Sequence, residues 1–382
     1  MEERNSSPPV KEFFEYSRLS QQLVNRGMLI NDIAYCERKL AQVGYYRLSG
    51  YWHSARTYSV ENRILSFHNQ FQPNTLFEDI FSFYLFDKRM RQEFMSAIER
   101  IEIFFRTIIA HELGRVTPLA YKDKSLFSSN AFCSSKKGPN FFEWTQRHER
   151  LLIESKEESI TSHFKNEKPI PIWVAVEAWD FGLLSKFYSM LKDSYRDLIC
   201  ARAGINNREV LDNWLINING LRNRCAHHSR FCNRPNPRSF KILKNGYFNL
   251  LNLSSNELGK LFGAISVIWF LLKKIGPNSQ WLVRIAELID NKPTVTGFYF
   301  SSMGLPRDAT EFPRLRFTGE FVNQQNITCS DEVTELENSH EYLIGLLENG
   351  CSLIKPEGDI SFSERLLSLA EYYENQEYNK GE

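Results

Sequence analysis

The residues best suited to chemistry lie between Leu221 and Arg234, LRNRCAHHSRFCNR, where Asn223 directly follows Arg222 and His227 stands five residues after it. An arginine can hold a phosphate in a two-pronged fork and stabilise the extra charge of a phosphorane-like transition state. A histidine can take a proton from a ribose 2′-hydroxyl or give one to the departing 5′-oxygen. Asn223 would orient either partner. The set suits phosphodiester cleavage without a metal, and no cofactor is implied. From Asn213 to Asn256 there is no Asp or Glu, while Arg222, Arg224, Arg230, Arg234, Arg238, Lys241 and Lys244 are all present. Such a segment should meet a polyanion. Arg47, Arg224, Arg230, Arg234, Arg238 and Lys241 are the expected RNA contacts.

A helix must carry this set, because Leu211, Trp214, Leu215, Ile218, Leu221 and Cys225 recur at helical spacing. Asn223, His227 and Arg230 then share one polar face, and Arg222 lies at the edge of the buried stripe. A half-buried guanidinium there requires a carboxylate or a bound phosphate. His228 falls near the core edge as a packed, hydrogen-bonded histidine. Gly220 sits inside the helix at a cost of about 1 kcal/mol. The bare spacing Arg-x-x-x-x-His is weak evidence, since Arg63 to His68 and Arg106 to His111 repeat it. Context singles out Arg222 to His227.

The carboxylate has candidate sources. A long helix over 81 to 113 presents Met90, Phe94, Ile98, Ile101, Phe105 and Ile108 to a core and sets Asp87, Arg91, Glu99, Glu102 and Arg106 on another face. Such a stripe reads first as solvated ion pairs. Glu177, among Trp173, Val176 and Trp179, needs a cationic partner as well.

The run RNRCAHHSRFCNR resembles the RN-x-x-AH-x-x-R-x-x-NR segment of the bacterial Abi family, the AbiD/AbiF-like abortive-infection proteins of phage defence. Gly44 to Trp52 (GYYRLSGYW), Phe86 to Arg106 and Pro171 to Tyr188 agree in the same order, and the resemblance covers roughly residues 15 to 310. The family is assigned to the HEPN superfamily of helical ribonucleases. The resemblance implies that Arg222 and His227 are the catalytic pair with Asn223 beside them, and that the long helix packs next to the motif helix. Glu99, Glu102, Arg106 and Glu177 then become the positioning groups around Arg222. It further implies a composite site between two facing motifs, hence a homodimer. Relatives in the superfamily also include non-catalytic RNA-binding proteins that form ribonucleoproteins.

The 382 residues, 42% of them hydrophobic and 14% aromatic, can bury a large core. Seven cysteines include no C-x-x-C pair, which argues against both a zinc site and a disulfide framework. A cytoplasmic protein is expected. The longest apolar run, Leu261 to Leu272, is about half the length that spans a bilayer. Net charge is +1, yet Glu320 to Glu382 carries 14 acidic residues against Lys355, Arg365 and Lys380, so a basic body wears an acidic tail.

The fold expected is all-α: an N-terminal helical subdomain over 1 to 75, a HEPN-like helical bundle over 76 to 317 and an acidic helical tail over 318 to 382. Tyr45, Tyr46, Tyr51 and Trp52 suit either stacking on RNA bases or packing that subdomain onto the bundle. Gly182 should interrupt structure before a helix from Leu183, and Met303-Gly304-Leu305-Pro306 lacks the Trp that commonly follows it in the family, which leaves its docking open. The tail reads as a hairpin extension or as a competitor for the RNA surface.

Overall fold

The structure, a computed structural model, describes residues 10–62, 64–133, 140–244, 246–306 and 308–317. The acidic tail expected from 318 onward lies outside the described residues. The chain opens with α1 (Tyr16–Asn25), α2 (Ile33–Val43) and α3 (Tyr45–Trp52). Asp32 starts α2 by accepting the Tyr35 amide at 2.9 Å. Gly44, at φ 90°, turns the chain from α2 into α3.

Two strands, β1 (Arg56–Glu61) and β2 (Ile64–Phe71), pair as an antiparallel hairpin. The mostly helical fold expected from the sequence is present, and this small local hairpin is the departure from all-α among the described residues. Thr57, Tyr58, Val60 and Ile64 are good strand residues, and Asn62 takes the turn at φ 52°. Most of the hairpin is exposed, so the inside-outside alternation that announces a strand is faint.

The axis is α4 (Phe77–Gly114), 38 residues long. Met90, Phe94, Ile98, Ile101, Phe105 and Ile108 are buried as the periodicity requires. Around α4 pack α3, α7 (Ile172–Ala175), α8 (Phe181–Met190), α9 (Asp193–Arg202), α10 (Arg208–Ala226), α13 (Leu261–Ile275) and α14 (Trp281–Asp290). With neighbours on so many sides most of its polar stripe is not solvated: Asp87, Arg91 and Glu102 are buried and Arg106 is part-buried, while Glu99 stays exposed. Between α4 and α7 lie α5 (Phe141–Glu154), opened by an Asn140–Glu143 capping box, and α6 (Glu158–Lys165). Gly182 does not interrupt α8. Asp180 caps that helix by accepting the Leu183 amide at 2.8 Å, and Gly182 falls in its first turn.

After α10 come α11 (Gly246–Leu251) and α12 (Ser255–Leu258), then the apolar α13 against α4. No described helix is long and apolar enough to cross a membrane. The segment after α14 does dock without the missing Trp: Met303 and Leu305 are buried, and Phe312 and Phe317 pack on Phe262. Arg316 fastens it through Glu257 at 2.7 Å.

Candidate functional site

The motif helix is α10. Asn207 caps it, accepting the amides of Glu209 and Val210 at 3.0 and 3.1 Å, and Leu211, Trp214, Leu215, Ile218, Leu221 and Cys225 are buried as expected. It ends at Ala226, earlier than the polar-face reading assumed. The Ser229 amide returns to the Arg224 carbonyl at 2.9 Å and the His228 amide to Cys225 at 3.1 Å, with His228 in the left-handed region at φ 54°. That is a Schellman stop with a histidine where glycine is usual. His227 is therefore the last half-helical residue, exposed at the C-terminal end. Two expectations are corrected by this stop. Arg230 has left the helix and does not share a face with Asn223 and His227, and His228 is exposed rather than packed.

A non-glycine residue in this conformation costs about 1–3 kcal/mol unless its surroundings impose it. Here His228 and the next four residues are clamped. Arg47 on α3 donates to the His228 carbonyl at 2.8 Å, Arg91 on α4 donates to the Ser229 carbonyl at 3.2 Å, and Arg230 donates to the Gly50 carbonyl. The Asp87 carboxylate is wholly buried and accepts four groups: the Tyr51 hydroxyl at 2.8 Å, the Arg91 guanidinium, and the amides of Phe231 and Cys232 at 3.0 and 2.7 Å. A buried charge so completely hydrogen-bonded escapes the penalty of an unpaired one. Arg47 and Arg230 thus fasten the chain after the motif, with burial lowering the pKa of Arg230. Tyr51 and Trp52 are buried and Tyr46 is exposed, so of the aromatic cluster only Tyr46 fully presents its ring.

Arg222 sits over a small polar cleft lined by Arg147 of α5, Asp180, Gly182 of α8, Asn219 and Asn223. Arg147 pairs with Asp180 across it. Within electrostatic reach of Arg222 is Glu102, which accepts from Arg106 at 2.6 Å; Arg106 also donates to the Trp179 carbonyl and reaches Glu177 at 3.8 Å. Burial raises the Glu102 pKa, opposed by the charges of Arg106 and then Arg222. Of the carboxylates expected from the sequence, Glu102 is the one near Arg222, although its hydrogen bond goes to Arg106; Asp180 lines the same cleft. Glu177 is exposed, so it is not the desolvated carboxylate its Trp-rich surroundings suggested, and its contact with Arg106 is a long, solvent-screened one. Glu99 is exposed and has no partner among the described residues. Arg222 is half-buried, and no hydrogen bond or ion pair engages its guanidinium among the described residues. Sequence reading passed over Arg147, Asp180 and Asn219. Only Asp180 had a local signal, as a capping residue just before a helical run.

The remaining basic residues divide. Arg224 donates to the Pro235 carbonyl at 2.6 Å, and burial followed by the charge of Arg234 lowers its pKa. Lys241 pairs with Glu209 at 3.1 Å. Arg234 and Arg238 are exposed with side chains unengaged among the described residues. The stretch 236 to 241 lies along α10 through Asn217, which accepts the Arg238 amide at 2.9 Å, and Asn213, which accepts that of Lys241 at 2.8 Å. Gly220 has its reason here, because a Cβ would come within 2.4 Å of the Pro237 ring. Of the other two spaced pairs, Arg106 is tied to Glu102 with His111 in the last turn of α4. Arg63 lies outside the described residues.

Residues 38–233, just over half of the chain, match the Abi-like protein family. No curated protein and no solved structure matches the chain significantly. The matched span is narrower than the 15 to 310 read from the motifs, yet it holds both halves of the site: it includes α3 and α4 with Arg47, Asp87 and Arg91, and it stops one residue beyond Cys232, where the clamp on the motif ends. The chain belongs to the Abi-like family of abortive-infection phage-defence proteins.

Proposed function

We propose that the protein is a metal-independent endoribonuclease of the HEPN type, acting in phage defence by 2′-hydroxyl attack on RNA. The observation that carries this reading is the Arg222 guanidinium, unengaged among the described residues and lining a polar cleft beside Asn223, with exposed His227 at the end of the same helix. Its neighbour Arg106 is held by Glu102, Glu177 and the Trp179 carbonyl, so of these two arginines Arg222 is the one free, among the described residues, to take a phosphate. The guanidinium would fork onto the non-bridging oxygens as their charge grows. His227 would move the proton and Asn223 would orient the hydroxyl or the ring. The products would carry 2′,3′-cyclic phosphate ends.

Among the described residues each chain holds one Arg-Asn-His set at a helix end, and a composite site would then require a homodimer with the two motif helices near a two-fold axis. Sedimentation and dilution assays test this. Activity that falls with the dimer on dilution supports it, and a fully active monomer at all concentrations rejects it.

A second reading has its own support. Arg234 and Arg238 are exposed on an acid-free segment that Asn213 and Asn217 fix to α10, a surface suited to holding structured RNA without cutting it. Cleavage of total bacterial RNA in EDTA separates the two. Binding without cleavage by the wild-type protein favours the ribonucleoprotein reading.

A further inference from the structure

On the side of α5 away from the Arg147 cleft, a cavity of about 500 Å³ opens between α5, α6 and Pro169-Ile170. Its size is that of a site for a small organic ligand. Leu152, Ile153, Phe164 and Ile170 give it an apolar body, and Lys122 and Lys168 stand in its wall with Glu149 as the one carboxylate. Ile153 and Phe164 are left exposed, although both are large and apolar.

His148 also lines this cavity and is 1% exposed. Its Nδ1 receives the Trp179 indole N–H at 2.9 Å. An indole can only donate, so Nδ1 is the acceptor and the ring proton sits on Nε2. That buried Nε2–H has no partner among the described residues. Trp144 stacks on one face of the imidazole at 5.0 Å, and Tyr121 abuts it at 4.6 Å. Burial, with the charge of Lys122 adding to it, lowers the imidazole pKa to about 4, which keeps the ring neutral and a donor at Nε2 alone. A donor left buried costs about 1–3 kcal/mol. An acceptor arriving in the cavity would recover that cost.

We infer that this cavity binds a small amphipathic carboxylate, with its apolar body among Leu152, Ile153, Phe164 and Ile170 and its carboxylate taken by His148 Nε2–H and the Lys122 ammonium. The two lysines against one glutamate favour an anion over a cation. The inference does not rest on the nuclease reading, since no residue of the Arg222 cleft lines this one.

Titration of the full chain with a panel of phenyl- and alkyl-carboxylates of six to twelve carbons, followed by saturation-transfer NMR and Trp fluorescence, tests it. Trp144 and Trp179 touch His148 and should report occupancy. At least one member should bind at micromolar to millimolar concentration, and its matching alcohol at least 10-fold more weakly. Lys122→Met and Ile153→Glu alter exposed wall positions without disturbing the core, and each should weaken the carboxylate at least 10-fold while circular dichroism stays that of wild type. His148→Phe should abolish the preference for the acid over the alcohol. No binding by any member, equal binding of acid and alcohol, or binding unchanged in Lys122→Met and Ile153→Glu overturns the inference.

Discussion

Asp87 Oδ1 lies 2.7 Å from the amide of Cys232, 145 residues further along the chain, and so ties the middle of the long helix to the segment that follows the motif. The carboxylate holds Arg91 and Tyr51 as well. Removing it would leave the buried Arg91 without its carboxylate and the Phe231 and Cys232 amides without an acceptor. Asp87→Ala should therefore lower stability by about 3–5 kcal/mol, read as the shift in denaturant midpoint. A loss under 1 kcal/mol would mean that the clamp is not what holds the chain after His228.

Gly220 makes a second prediction, and its sign runs against helix propensity. Alanine should gain about 1 kcal/mol in an open helix. Here its Cβ would meet Pro237 at 2.4 Å, closer than atoms can approach. Overpacking should win, so Gly220→Ala should destabilise by about 1–3 kcal/mol in thermal or denaturant unfolding. A more stable variant would show that the 236 to 241 stretch does not bear on α10.

Stability should also respond to pH through His148. Its imidazole titrates near 6.5 in an unfolded chain and near 4 in the fold. Between these values the unfolded chain binds a proton that the fold refuses. The stabilisation is complete above pH 6.5 and is lost as pH falls toward 4, by about 3 kcal/mol in all. His148→Phe should flatten that slope relative to wild type, in chemical unfolding at a series of pH values from 4 to 7.

The elements around the site were largely legible in the sequence. The α4 and α10 stripes are strongly periodic, and their apolar residues are buried as the spacing requires. The stop after Ala226 was not legible, because no glycine or proline marks it. It is imposed from outside, by Arg47 on α3 and by Asp87 and Arg91 on α4. The same cause misled the reading of the α4 polar stripe. Ion pairs at helical spacing look alike whether water or another helix faces them, and only the packing of α3 and α10 buried Asp87 and Arg91. A part-buried cation demands a carboxylate, which pointed to the α4 stripe, but spacing alone did not separate the buried Glu102 from the exposed Glu99. Arg147 and Asn219 come from separate helices, and nothing local announces that they share a cleft with Arg222.

The central claim is that His227 moves a proton during RNA cleavage rather than merely ending a helix. Purified wild-type protein and His227→Ala, incubated with total bacterial RNA in EDTA, test it most directly, with fragment ends mapped and RNA binding measured in parallel. Because His227 is exposed and its side chain has no partner among the described residues, the variant should keep its fold and bind RNA within about 2-fold of wild type. The account predicts fragments ending in 2′,3′-cyclic phosphate from wild type and a loss of at least 100-fold in cleavage rate from His227→Ala. Undiminished cleavage by His227→Ala, or RNA bound but uncut by the wild-type protein, would contradict it.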